Sequence, residues 1–213
     1  MTGFAGALGV RRGVTAVIGG GGKTTLLGVL ARELSREGTV IVTTTTHIYP
    51  PEDMPFSGTA VPAPLLCVGT PQPNGKLTAP RQPMRELAAC ADFVLVEADG
   101  AKRLHIKAHA AHEPVVPENA SQVICVVGAS GLNRSVSQAV HRPELFAART
   151  GERELATPEA VARLLLAERL HTRVLINQAD TPEREQAARA LARLLDCPTV
   201  VAALQKGEIL CSF

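Results

Sequence analysis

A three-layer α/β fold, with helices on both faces of a mainly parallel sheet, is predicted by three observations. Apolar β-like runs alternate with amphipathic α-like segments along the chain. The first run, Val14-Thr-Ala-Val-Ile, passes through four glycines directly into Lys23-Thr-Thr and a helical pattern. A later run, Phe93-Val-Leu-Val, ends in Glu97 with Asp99 two residues on. Those carboxylates then stand at the C-terminal end of a buried strand, where α/β folds keep their ligands.

The elements follow in order. A strand over about 14–18 leads through the glycines to a helix that places Leu26, Leu27, Leu30, Ala31 and Leu34 on one face, with Gly38 as its terminal glycine. A second strand covers 39–44. Residues 50–83 are proline-rich, with a short apolar run at Leu65–Val68 and an Asn74-Gly75 turn signal, and read as an irregular excursion carrying a hairpin. A helix near 81–91 precedes the strand that ends in Glu97. Further strands are expected at 122–127, 173–177 and 199–203. Helices begin at Thr157-Pro158-Glu159, an N-cap, N1 proline and first-turn acid in the expected order, and at Thr181-Pro182. The 213 residues read as a single domain, 1–213, long enough to bury a core.

The glycine run carries the most specific chemistry. Gly19, Gly20, Gly21 and Gly22 let the backbone curl and aim its N–H groups inward, since glycine has no Cβ to forbid the dihedrals. Lys23 adds a point charge for β- and γ-phosphates and Thr24 a hydroxyl for Mg²⁺. Thr25 continues a helix whose N-terminus favours anions. The order strand, glycines, Lys-Thr, helix is that of a P-loop, so the expected fold is P-loop NTPase-like and the expected ligands are ATP or GTP with Mg²⁺. The metal set is Thr24 with Glu97 and Asp99, either acid touching metal and the other polarising water. Val17 stands where a full Walker A motif has glycine, and Ile18 where one deviant class has an extra lysine. The loop resembles the short phosphate loops of Mur-type ligases and of some deviant P-loop ATPases.

Bulk composition narrows the partners. A 46% hydrophobic and 20% charged chain with net charge +2 is that of a soluble globular protein. With no Trp and one Tyr there are few platforms for stacked bases of a strand, and nucleic acid is not an expected partner. The five cysteines form no C-x-x-C pair, which argues against a zinc ribbon or a disulfide scaffold, and Cys125 reads as a buried thiol. The N-terminal stretch shows no signal-peptide pattern and no run reaches the length of a membrane span. A cytoplasmic protein without a membrane partner is expected.

Four other groups are candidates. Thr43, Thr44, Thr45 and Thr46 place hydroxyls at a strand's carboxyl end, for metal or γ-phosphate, or because threonine simply suits strands. Asn177-Gln-Ala-Asp180 resembles the N-K-x-D element that reads guanine in GTPases, with Gln178 in place of lysine. Asp180 and Glu183 also have capping-box spacing. The 102–114 segment is rich in cations and histidines. Lys102, Arg103 and Lys107 suit an anionic substrate or transition-state charge, and His105, His109 and His112 stand at helical metal spacing or are merely solvated. His141-Arg142-Pro143-Glu144 opens a helix.

Together, residues 17–25, 42–46, Glu97-Ala-Asp-Gly-Ala-Lys102, Lys107, His112-Glu-Pro-Val-Val-Pro117, 140–144 and Asn177-Gln-Ala-Asp180 resemble the YqeC family over nearly the whole chain. These are accessory proteins of selenium-dependent molybdenum hydroxylases, also described as selenium cofactor biosynthesis proteins. The resemblance implies a P-loop domain working beside maturation of a molybdopterin enzyme whose centre carries labile selenium. A nucleoside triphosphate, and a molybdenum hydroxylase or its cofactor, are the implied partners. His105 and His109 depart from the family pattern L-P-x-K-A-P, where prolines are expected, whereas Lys107, His112 and Glu113 match. The leading expectation is an Mg²⁺-dependent nucleoside triphosphatase or phosphotransferase. Glu97, Asp99, Lys107 and His112 would do the chemistry, with Asn177 and Asp180 near the base. Rival readings are a nucleotide-switched chaperone that delivers cofactor to a client hydroxylase, and a Mur-like ligase or small-molecule kinase.

Overall fold

The structure, a computed structural model, describes residues 3–51 and 53–213. Met1 and Thr2, which open the N-terminal stretch read for a signal, lie outside the described residues, as does Glu52. A nine-stranded, mainly parallel sheet flanked by helices forms the framework, the architecture that the alternating pattern predicts. The chain divides into two compact units.

The first unit holds the residues up to Val17, Thr24–Gly100 and Val115–Val123. Its main-sheet strands run parallel: Phe93–Glu97 pairs on one side with Gly13–Gly19 and on the other with Val40–Thr44. Leu65–Val68 and then Phe56–Ser57 extend the sheet beyond Val40–Thr44. Strands buried on both faces need continuous apolar runs, and Phe93–Glu97 is buried at every position. Alternate side chains share a face. Ile41, Leu66, Val68, Val94 and Val96 therefore meet on one side, where Leu87 of the helix Met84–Cys90 packs among them. Register places Glu97 opposite Val17 and Thr44, at the carboxyl end of both neighbours.

Within the proline-rich 50–83 stretch, Leu65–Val68 is thus a strand of the main sheet rather than irregular chain. The Asn74-Gly75 signal does make a hairpin between Thr70–Pro71 and Leu77–Thr78, with Gly75 at φ 76° and Gln72 N–H donating to the Lys76 carbonyl at 2.8 Å. The helix after the glycines runs Lys23–Leu34 and buries the five predicted apolar side chains, each leucine contributing roughly 1.5–3 kcal/mol. Gly38 corrects its predicted role. It lies four residues past the helix and outside the left-handed region, and a Cβ there would sit 2.5 Å from the Asp92 carboxylate. That carboxylate accepts from both the amide and the hydroxyl of Thr39. Close approach to Asp92, not a left-handed cap, explains the glycine, whose amide takes the carbonyl of Leu34 at the helix end at 3.1 Å.

The second unit holds Ile18–Lys23, Ala101–Pro114 and Ile124–Phe213. Here Ala120–Gly128, Arg173–Asn177 and Thr199–Ala203 run parallel, and Glu208–Ser212 closes the edge antiparallel. The helix Pro158–Glu168 starts as predicted, the Thr157 hydroxyl accepting the Ala160 amide at 3.2 Å, and it ends where Arg169 turns left-handed. Thr181, not Asp180, caps Pro182–Ala192 by accepting the Arg184 amide. Asp180 is left outside the helix for other contacts.

Candidate functional site

In the second unit the glycine loop is defined by close backbone approach. Gly21 has φ 75°, and a Cβ there would lie 2.3 Å from the Gly128 amide nitrogen. At Gly20, where φ is not positive, a Cβ would lie 2.6 Å from the Leu104 carbonyl. Two of the glycine amides are committed to holding the loop: Gly20 N–H donates to Val126 O at 2.9 Å and Gly21 N–H to Leu104 O at 3.1 Å. Asn177 Nδ2 donates to the Gly21 carbonyl at 2.8 Å, and the buried Lys23 ammonium donates to the Gly19 carbonyl at 2.7 Å. The helix opens immediately afterwards, and first-turn amides have no carbonyl of an earlier turn to reach.

In the first unit Thr24 Oγ1 donates to Glu97 Oε2 at 2.9 Å. Glu97 is 7% exposed and Asp99 fully buried, whereas Thr24 and Thr25 are exposed. The threonine run that ends the strand Val40–Thr44 spends three hydroxyls on carbonyls: Thr43 on Val68, Thr44 on Glu97 and Thr45 on Val115, at 2.7, 2.9 and 2.7 Å. Those bonds fix the strand ends around Glu97, which is a structural reason for the run.

The cationic segment of the second unit separates into distinct environments. Lys107 has a fully buried side chain and pairs with Glu113 Oε2 at 3.0 Å, and the same oxygen accepts Arg142 at 2.6 Å. His141, opposite Lys107 in the two-strand ladder, is held below the ordinary imidazole range by burial and then by the Lys107 and Arg142 charges. His112 is exposed, as are Lys102 and Arg103, which both adopt left-handed backbone. His109 is buried, its ring bonded to Glu168 at 2.6 Å, while Arg149 bonds the same carboxylate and the His109 carbonyl. His105 instead meets Ser130 Oγ at 2.9 Å and Gln178 Oε1 at 3.1 Å. The three histidines point to different partners. Among the described residues no three His, Cys, Asp or Glu gather as metal ligands.

Asn177 is buried; its Oδ1 accepts the Leu204 amide at 3.0 Å while its Nδ2 holds Gly21. Asp180 Oδ1 accepts Arg184 at 2.5 Å, and that bond keeps its carboxyl below the usual range. A cavity of about 440 Å³ opens here, lined by His105, Ser130, Gln178, Asp180, Arg184 and Gln205 among others. Ser130, Arg184 and Gln205 carry no motif of their own, and sequence reasoning missed them. The one hint is the small-residue turn Gly128-Ala-Ser-Gly131 after a buried strand.

Comparison with known proteins bears on the same residues. The family model for YqeC, described as YqeC protein, matches residues 15–144. That span includes residues 19–25, Glu97, Asp99, Lys107 and His112 and stops short of Asn177 and Asp180. A relative from Escherichia coli (strain K12), "Uncharacterized protein YqeC", is 34% identical over 176 residues, covering 71% of this chain. The chain spans 64% of that relative's length. The family model over more than half of the chain and the 34% identical relative agree: the chain belongs to the YqeC family.

Proposed function

We propose that this protein binds and hydrolyses a nucleoside triphosphate with Mg²⁺, in the maturation of the cofactor of a selenium-dependent molybdenum hydroxylase. The observation that carries the reading is the 2.9 Å bond from Thr24 Oγ1 to Glu97 Oε2. It joins the hydroxyl that follows the loop lysine to the acid at the end of the adjacent strand. Mg²⁺ favours oxygen ligands from a carboxylate or two and keeps several waters, so Thr24, Glu97 and Asp99 fit as direct or water-bridged ligands. When bound, the ion would neutralise phosphate charge.

The loop fits the phosphates in a narrower way than four inward-pointing glycine amides. The Gly20 and Gly21 amides are spent on Val126 and Leu104, so phosphate contact falls to the amides that open the helix at 22–25 and to Lys23. That arrangement combines the amide donors of a helix's opening turn with the helix dipole. The Lys23 ammonium, resting on the Gly19 carbonyl, needs only to exchange one acceptor for another. The pathway part rests on the family resemblance of Glu97-Ala-Asp-Gly-Ala-Lys102 and residues 112–117. A client hydroxylase or its cofactor is the partner this implies.

Phosphate release by the purified chain tests hydrolysis. It is expected to require Mg²⁺ and to fall at least about tenfold in Thr24→Ala, an exposed position whose loss leaves the core intact. Release independent of Mg²⁺ and unchanged in Thr24→Ala would overturn the reading.

A further inference from the structure

The cavity in the second unit shares a wall with the glycine loop. A Cβ on Gly128 would touch Gly21 Cα at 3.0 Å on one side and Gln178 Oε1 at 2.5 Å on the other. His105, which also lines the cavity, lies against Gly20, whose Cβ would meet the His105 carbonyl carbon at 2.8 Å. Asn177 bonds the Gly21 carbonyl and the Leu204 amide at once, so the loop and the turn before Gln205 are held by one side chain. A volume of about 440 Å³ falls within the range of small-molecule pockets.

We propose that this cavity receives the base of the nucleotide whose phosphates occupy the 19–24 loop, and that the Asp180 carboxylate selects a base with adjacent N–H donors, the guanine edge. The inference rests on the nucleotide-binding reading above and deepens it by naming the base. An ionised carboxylate only accepts hydrogen bonds. Guanine offers it a ring N–H and an exocyclic amine side by side. Adenine turns a ring nitrogen lone pair toward the same oxygens and is repelled. Gln205, which also lines the cavity, carries an amide donor for the ring carbonyl that adenine lacks.

The remaining lining agrees with a base better than with a second anion. Arg184 is already neutralised by Asp180, so a phosphate or carboxylate entering here would face a carboxylate with Arg134 as its main counter-charge. A neutral heterocycle meets no such penalty. The lining holds no Phe, Tyr or Trp ring, the His105 imidazole is bonded to Ser130 and Gln178, and guanidinium planes such as that of Arg134 stack on bases. Arg184 engages Asp180 Oδ1 and keeps the carboxylate ionised, so that a base edge competes for it or shares it.

Calorimetric titration of the full chain with the Mg²⁺ complexes of GTP, ATP and XTP tests this, using wild type, Asp180→Asn and Lys23→Ala. Wild type is expected to bind GTP at least about tenfold more tightly than ATP. Asp180→Asn should lose about 10- to 100-fold for GTP, the worth of a charge-assisted hydrogen bond. It should gain affinity for XTP, whose carbonyl replaces the guanine amine and accepts from the new amide. That reversal cannot come from general loosening of the fold. Equal GTP and ATP affinity, or no effect of Asp180→Asn, with both nucleotides weakened by Lys23→Ala, would overturn the base assignment and leave the loop reading standing. Nucleotide affinity that is absent, or untouched by Lys23→Ala, would overturn both.

Discussion

Asn177 donates from Nδ2 to the Gly21 carbonyl at 2.8 Å across 156 residues of sequence, and accepts the Leu204 amide on Oδ1 at 3.0 Å. One buried amide thereby satisfies two backbone groups that have no ladder partner. Asn177→Ala would leave both unpaired and dry, at about 1–3 kcal/mol for each group. Urea unfolding is expected to show a loss of roughly 2–4 kcal/mol. A change below about 0.5 kcal/mol would mean that water or another side chain takes over both bonds.

Glu168 is a second buried anchor. Its carboxylate holds the His109 ring and amide and the Arg149 guanidinium, and its side chain is only 4% exposed. Removing Glu168 leaves the buried His109 ring and amide without their acceptor, at a cost of about 1–3 kcal/mol for each group, and Arg149, 32% exposed, without its carboxylate. Glu168→Ala is therefore expected to lower the thermal midpoint by several degrees, and an unshifted midpoint would show that the cluster contributes nothing net. His109→Pro, which restores the family pattern at that position, should lose the ring and amide bonds to Glu168 together.

Acid sensitivity should begin near neutrality. His141 and His171 are both held below the ordinary imidazole value of 6.5, chiefly by burial. Below pH 6.5 the unfolded chain protonates these rings while the folded protein does not, so unfolded molecules bind more protons and stability falls as pH falls. Stability measured by urea should be flat from pH 8 to about 7 and decline below about 6.5. In His171→Gln the decline should be shallower. A slope unaltered by replacing both rings would assign the acid loss to carboxylates instead.

The thiols should separate by reactivity. Burial pushes the Cys67 thiol up to about 11, whereas Cys90 is exposed. The thiolate is the nucleophile, so iodoacetamide at pH 8 should label Cys90 first and reach Cys67 only on unfolding. Mass spectrometry of partial digests reads the order directly, and early labelling of Cys67 would contradict its burial.

How far the sequence alone reached depends on whether a feature is local. The strands Gly13–Gly19, Phe93–Glu97 and Arg173–Asn177 were legible because burial on both faces demands unbroken apolar runs. Thr157-Pro158-Glu159 was legible because a cap is made by neighbours in sequence. Gly38 was misread since the reason for it, the Asp92 carboxylate at 2.5 Å from its absent Cβ, comes from 54 residues away. Leu65–Val68 looked like part of an excursion because its four residues lie among prolines, and only pairing with Val40–Thr44 makes them a sheet strand. Ser130, Arg184 and Gln205 line one cavity from three segments, and no periodicity links such positions. Lys107 reads from sequence as a cation for an anionic ligand, and the structure adds its partly buried partner Glu113.

The measurement that bears most directly on the central claim is calorimetric binding of a Mg²⁺–nucleoside triphosphate to wild type and to Lys23→Ala. Matched circular dichroism should confirm that both are folded. Wild type is expected to bind in the micromolar range or tighter, near −8 kcal/mol. Lys23→Ala, which removes the ammonium now resting on the Gly19 carbonyl, is expected to bind at least about 30-fold more weakly, since charge-assisted bonds to phosphate are among the strongest available. Equal affinity in two folded proteins would contradict the claim that the 19–24 loop is a phosphate site.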